Sequence, residues 1–187
     1  MSSINFRELP LITFEEGHDF GREPQKFEGN LLIRGDVRNC IVAATGHITI
    51  QGIVQQAKVR SEFGSVFLST NACDGAGVYA GQNIYAHDLI DTVAKADVDI
   101  VVESSVTSSR LNAGRFIFVE SSGSFLTKSR LTAKNGMILS IINQGIISND
   151  EDRDVDSGVK LFIKNEKGSI RFQSLFPPVQ IDIGGYQ

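Results

Sequence analysis

Val106-Thr107-Ser108-Ser109-Arg110-Leu111-Asn112-Ala113 and Leu126-Thr127-Lys128-Ser129-Arg130-Leu131-Thr132-Ala133 are two copies of one phrase. They lie about twenty residues apart and agree, identically or in type, at almost every position; such a period marks a solenoid. A looser form, an apolar residue, any residue, then a small one, recurs along the chain. It appears as Val42-Ala43-Ala44, Val59-Arg60-Ser61, Val78-Tyr79-Ala80, Ala94-Lys95-Ala96, Leu111-Asn112-Ala113 and Leu131-Thr132-Ala133. A second alternating apolar pair follows most of these: Ile48/Ile50, Val66/Leu68, Ile84/Ala86, Val98/Ile100, Ile117/Val119, and Ile138 in a run with Met137 and Leu139. The steps between units are roughly 16 to 20 residues, in the range of β-helix coils.

Alternation with period two turns every second side chain inward. Val42, Ala44, Val59 and Ser61 should point in, and Ala43, Lys58 and Arg60 out. The small inner residue fits a corner, and Gly46, Gly64, Gly81, Gly114 and Gly136 fall near the expected bends, where positive φ is often required. One coil cannot fold alone. Burying a Val or Ile yields about 1.5–3 kcal/mol, whereas ordering each backbone residue costs about 1–2 kcal/mol. Stacking on neighbours has to supply the remainder. The expected fold is all-β: a single-stranded parallel β-helix of about six coils, stacked about 4.8 Å apart into a rod of roughly 30 Å.

The repeat occupies residues 31–148 of one expected domain, 1–187. Residues 1–30 lack it and read as an irregular N-terminal cap. Leu11-Ile12-Thr13-Phe14 suggests a short strand there, and Phe14, Phe20 and Phe27 offer bulk to cover the open end of the ladder. Residues 149–187 read as an acidic loop and C-terminal strands. Val159–Ile163 and Ser169–Phe172 flank Asn165-Glu166-Lys167-Gly168, the local signature of a β-hairpin cap.

Composition narrows the function classes. The 187 residues are 41% hydrophobic and 21% charged, with a net charge of -4, which suits a folded globular chain. No apolar run approaches the roughly 20 residues of a membrane-spanning helix. The start of the chain is polar and carries Glu8, unlike a signal peptide, so cytoplasmic residence is expected. Cys40 and Cys73 form no CxxC pair and read as reduced thiols.

The chemistry-bearing candidates are few. Asn149–Asp156 is an acidic run, but an EF-hand needs Gly at its sixth position and Glu at its twelfth; counting from Asp150 or Asp152 satisfies neither. His47 and His87 read as related positions two coils apart, roughly 10 Å by strand spacing, too far to share a metal. His87-Asp88 could form a base with an orienting carboxylate, but no nucleophile is tied to it. No cofactor is implied. Arg110 and Arg130 are equivalent, with Lys58 at the same place two coils earlier. Together they define a candidate face for an anionic partner: phosphate, acidic protein or membrane head group. Asp97, Asp99 and Glu103 intervene in the chain. No aromatic residues interleave the cations as single-stranded nucleic acid requires, so no nucleic-acid partner is expected.

Val-x-Ala-x-x-Gly-x-Ile-x-Ile-x-Gly-x-Val at Val42–Val54, with Lys-Ser-Arg-Leu-Thr-Ala-Lys-Asn-Gly-Met-Ile at Lys128–Ile138, resembles the β-helical domain of the flagellar assembly protein A family. The bactofilins, which form polymers, are a more distant likeness. The resemblance spans about Asn30 to Gly145 and implies a right-handed helix with no catalytic residue. It points to a non-catalytic bacterial scaffold that presents its faces to other proteins, or its ends to further copies of itself, with a link to flagellar or cell-envelope assembly. The alternative is a β-helical enzyme acting on a carbohydrate or nucleotide-sugar, which would need a cleft into which His87, Asp88 and Asp91 converge.

Overall fold

The alternating segments build a three-sided β-solenoid in the computed structural model. It describes residues 5–119, 125–133, 136–139, 142–148, 159–164, 169–172 and 179–184, with side chains described for 5–119, 129–133 and Met137. The chain opens with β1 (Leu11–Phe14) and β2 (Gln25–Phe27). The first full turn is β3 (Asn30–Ile33), β4 (Val37–Arg38) and β5 (Ile41–Ala44), one strand per face. The second is β6 (Ile48–Ile50), β7 (Val54–Gln55) and β8 (Lys58–Ser61).

Thereafter strands run on across the bend between the first two faces. These are β9 (Val66–Cys73), β11 (Ile84–Ile90) and β13 (Asp99–Thr107), followed on the third face by β10 (Gly77–Ala80), β12 (Val93–Ala96) and β14 (Arg110–Ala113). β15 (Phe116–Val119), β16 (Phe125–Ala133), β17 (Gly136–Leu139) and β18 (Ile142–Ser148) bring the count to about seven turns, against the six expected. β19 (Val159–Lys164), β20 (Ser169–Phe172) and β21 (Val179–Gly184) continue the stack.

Every strand pairing among the described residues is parallel. Like residues therefore stack on like. Leu31, Ile48, Val66, Ile84, Ile100, Ile117 and Met137 form one inward column on the first face. Val37, Val54, Ala72, Leu89 and Val106 form one on the second. Val42, Val59, Val78, Ala94, Leu111 and Leu131 form one on the third. All are buried in a single hydrophobic cluster.

The corners work differently from expectation. Gly46, Gly64, Gly81 and Gly114, between the third face and the first, do not have positive φ. They are small because the coils touch there: a Cβ at Gly114 would lie 2.1 Å from the Asp97 carbonyl oxygen, and one at Gly81 2.3 Å from that of Glu62. Positive φ falls at the opposite corner, between the second face and the third, on Asn39 (52°), Gln56 (50°), Asp74 (53°), Asp91 (47°) and Ser108 (51°). Asn and Asp take this left-handed conformation more readily than other non-glycine residues.

Just past that corner the chain turns a side chain inward: Cys40, Ala57, Ala76, Thr92, Ser109 and Ser129. The last three stack hydroxyls. The Thr92 and Ser109 N–H groups donate to Ser109 Oγ (3.0 Å) and Ser129 Oγ (3.1 Å) of the following coils. Thr92, Ser109 and Ser129 in turn donate to the carbonyls of Ala72, Leu89 and Val106. The stack is thus satisfied within the core.

Three further expectations change. The N-terminal segment is not wholly irregular: β1 pairs with β3 and β2 with β5, so the ladder begins at Leu11. Around these rungs Phe14 packs edge-on against Phe20 (5.0 Å) and Phe27 (5.2 Å), and Phe20 is buried. The C-terminal strands form no hairpin. β19 lies between β17 and β21, and β20 lies on β18, all parallel. Finally, the inward pair on β13 is Ile100 and Val102, not Val98 and Ile100, and in the run at β17 it is Met137 that stacks on Ile117 and is buried.

Candidate functional site: the outer faces

Lys58, Arg110 and Arg130 fall in one register column on the outside of the third face, Lys58 being three turns before Arg110 rather than two. Gly77 and Val93 occupy the intervening rungs. A second outward column runs beside it through Lys26, Ala43, Arg60, Tyr79, Lys95, Asn112 and Thr132. Six cations therefore share the face, and all are exposed. Lys26, Arg60 and Lys95 escaped the sequence reading as members of it. For Arg60 and Lys95 the signal was present in the middle residue of the apolar-x-small triplet, the one that must point outward; Lys26 precedes the triplets and carried no such signal.

The carboxylates that intervene in the chain are not on this face. Asp97 lies on the corner after β12. Asp99 turns into the ladder, where Oδ1 accepts the Phe116 N–H (3.1 Å) and the Arg115 guanidinium. Glu103 sits beside His87 at the bend between the first two faces, with Oε2 3.4 Å from its Nδ1. Tyr79 is one aromatic interleaving the cations, contrary to the expectation of none, but a single ring makes no stacking platform.

The first face carries an acceptor ladder that the sequence reading missed. The residue at its leading edge accepts, through its side chain, the N–H of the equivalent residue one turn on. Asn30 Oδ1 accepts from His47 (2.8 Å), His47 Nδ1 from Ser65 (2.9 Å), Ser65 Oγ from Asn83 (3.3 Å) and Asn83 Oδ1 from Asp99 (3.1 Å), leading to the Asp99–Phe116 bond. Its signal is a polar residue directly before each first-face apolar pair: Asn30-Leu31, His47-Ile48, Ser65-Val66, Asn83-Ile84, Asp99-Ile100. Outside it lies an apolar row, Leu32, Phe67, Tyr85, Val101 and Phe118, broken by Thr49, with Phe67 stacked on Tyr85 at 5.0 Å.

His47 and His87 are not equivalent. His47 stands before Ile48 in the ladder, and burial lowers the pKa of its ring. His87 lies past Ala86, at the bend between the first two faces, exposed beside Asp88 (3.8 Å) and Glu103. Asp88 accepts a hydrogen bond from Ser105. Asp91 is taken up by the next corner, where its N–H donates to the Thr107 carbonyl (2.9 Å). His87 and Asp88 thus lie at one bend and Asp91 at the next corner, rather than on a shared strand.

A depression of about 360 Å³ lies instead at the N-terminal end, lined by Glu16, Gly17, His18, Asp19, Phe20, Asp36 and Arg38. The His18 ring packs at a tilt against Phe14 and edge-on against Phe20. The Ile53 N–H, then Arg38, hold the Asp36 carboxyl below its usual range. Among the described residues no group of His, Cys, Asp and Glu could hold a metal ion. Cys40 is buried and Cys73 half-buried, both unpaired, and burial raises both thiol pKa values. The acidic run at Asn149–Asp156 lies outside the described residues.

Comparison with known proteins places this geometry. No curated protein and no solved structure matches the chain. One family model does, described as the Flagellar Assembly Protein A beta solenoid domain, over residues 26–146, from β2 into β18 and well over half of the chain. The bactofilin likeness rests on sequence pattern alone. With the three-sided parallel stack and the family model covering the same residues, the chain belongs to the Flagellar Assembly Protein A β-solenoid family.

Proposed function

We propose that this protein is a non-catalytic scaffold for flagellar or cell-envelope assembly in the cytoplasm, holding partner proteins on its faces or further copies of itself at its ends. The observation that carries this reading is the continuous parallel ladder. It presents continuous outer faces built from equivalent positions, and the polar groups that an enzyme would need to converge are spread along a rim instead. Repeat scaffolds bind in this manner, through extended surfaces built from equivalent positions of successive turns. Membership in a flagellar assembly family supports the same role.

The test is affinity capture of partners by the intact protein from a flagellated bacterium, with light scattering on the purified chain. Specific capture of assembly components, or reversible self-association, is expected. Turnover of a carbohydrate or nucleotide-sugar, abolished by His87→Ala, would overturn the reading in favour of a β-helical enzyme.

A further inference from the structure

The third face separates charge from the rest of the molecule. The chain as a whole carries -4, yet the outward positions of β5, β8, β10, β12, β14 and the third-face part of β16 carry no carboxylate. Lys26 has one exposed partner, Glu62 at 3.0 Å. Lys58, Arg60, Lys95, Arg110 and Arg130 form no salt bridge with any described residue. From the rung of Lys26 to that of Arg130 is six steps, about 29 Å at the parallel-strand spacing.

The same face exposes Ile41 (36%) and Val93 (43%), in one column with Lys58. An aliphatic side chain left in water between cations gains nothing from a soluble polyanion. It gains from an apolar phase lying beneath a layer of negative charge.

We propose that the third face docks on a lipid bilayer rich in acidic phospholipid, with the cations at the phosphates and Ile41, Val93 and Tyr79 entering the head-group zone. Three features favour a membrane over other anions. The face is a parallel sheet kept in register over six steps, so its cations line up along one extended surface. Its cation count falls within the roughly 4–8 typical of clusters that recognise anionic lipid. Tyr79 is amphipathic, as residues at membrane interfaces are. A protein partner would favour a surface depleted of lysine and anchored by buried aromatics, and three of the six cations here are lysines. Nucleic acid would need repeated stacking rings. The inference stands apart from the scaffold reading, because a solenoid with no protein partner could still bind lipid.

Sedimentation of the intact protein with vesicles of phosphatidylglycerol and phosphatidylcholine tests it. Binding is expected to the mixed vesicles and not to phosphatidylcholine alone, and is expected to fall away near 1 M salt, where screening acts within about 3 Å. Arg60→Ser with Lys95→Ser should weaken it by about fivefold per charge removed; Arg34→Ser with Arg38→Ser, on the other faces, should not. Ile41→Ser with Val93→Ser should weaken vesicle binding and leave retention on heparin unchanged. Equal loss in the two arginine-containing pairs would overturn the proposal, provided circular dichroism shows both folded. So would heparin retention without vesicle binding, which would assign the face to a soluble polyanion.

Discussion

His47 shows what a position in the stack does to a side chain. Its Nδ1 accepts the Ser65 N–H at 2.9 Å, so this nitrogen must carry no proton, and its pKa is lowered by burial. A histidine with a depressed folded pKa binds its proton first in the unfolded chain. The stability it contributes is present above the unfolded value of about 6.5 and is lost as pH falls through the lower folded value. Urea midpoints measured on either side of that window should therefore drop at the acid end. His47→Asn restores the type of acceptor found at Asn30 and Asn83 and should flatten the dependence. An unchanged pH slope in that variant would remove His47 as its source. Leu111 and Asn112 give a second contrast between neighbours: Leu111 is fully buried and Asn112 exposed. Leu111→Asp should cost several kcal/mol by burying an unpaired carboxylate, and Asn112→Asp about 0.5 kcal/mol or less. Equal denaturation midpoints would mean that this strand is turned over.

At the level of the element, the corner rather than the strand sets the geometry. The strands are short, four residues in β8, β10, β12 and β14 alike, and any alternating apolar segment could form them. The corners cannot be exchanged. At the corner between the third face and the first, the Gly114 Cα approaches the Asp97 carbonyl so closely that a methyl group has no room. Gly114→Ala should therefore destabilise by about 1–3 kcal/mol through overpacking, although the substitution brings no strain in φ. Gly75 is the opposite case: it has φ of +81° and open space around the Cβ position. Gly75→Ala there costs only backbone strain. Thermal melts of the two variants separate the mechanisms. If Gly75→Ala is the more damaging, close stacking is not what the Gly114 corner needs.

On the scale of the whole molecule, a solenoid has two ends, and each exposes unpaired strand edges unless something covers it. At the N-terminal end β1 and β2 add a partial rung, and Phe14, Phe20 and Phe27 pack together beneath it. Asn30 ties the cap down, donating from Nδ2 to the Phe6 carbonyl (2.8 Å). Removing residues 1–28 would strip this plug and expose β3 beside Leu31 and Ile33. Larger oligomers or filaments are then expected, growing end to end, because a coil stacked on another chain's coil repeats the native contact. Light scattering with electron microscopy decides it. A truncated protein of unchanged size and stability would show that the segment does not cap.

The period, the alternation and most of the inward side chains could be read from the sequence because they are local: an apolar residue two positions from another shares its face whatever the rest of the chain does. The triplets at Val42, Val59, Val78, Ala94, Leu111 and Leu131 therefore stack in one column as expected. What the tertiary structure alone decided was which rung lies on which. The alternating strands around Asn165–Gly168 look the same in sequence whether they pair with each other or with earlier coils, and they take the second course, each extending an edge already formed. The acceptor ladder from Asn30 to Asp99 and the gathering of Lys26, Arg60 and Lys95 beside Lys58 and Arg110 depend on the same alignment. That alignment sums over turns of unequal length, and no single turn of sequence contains it.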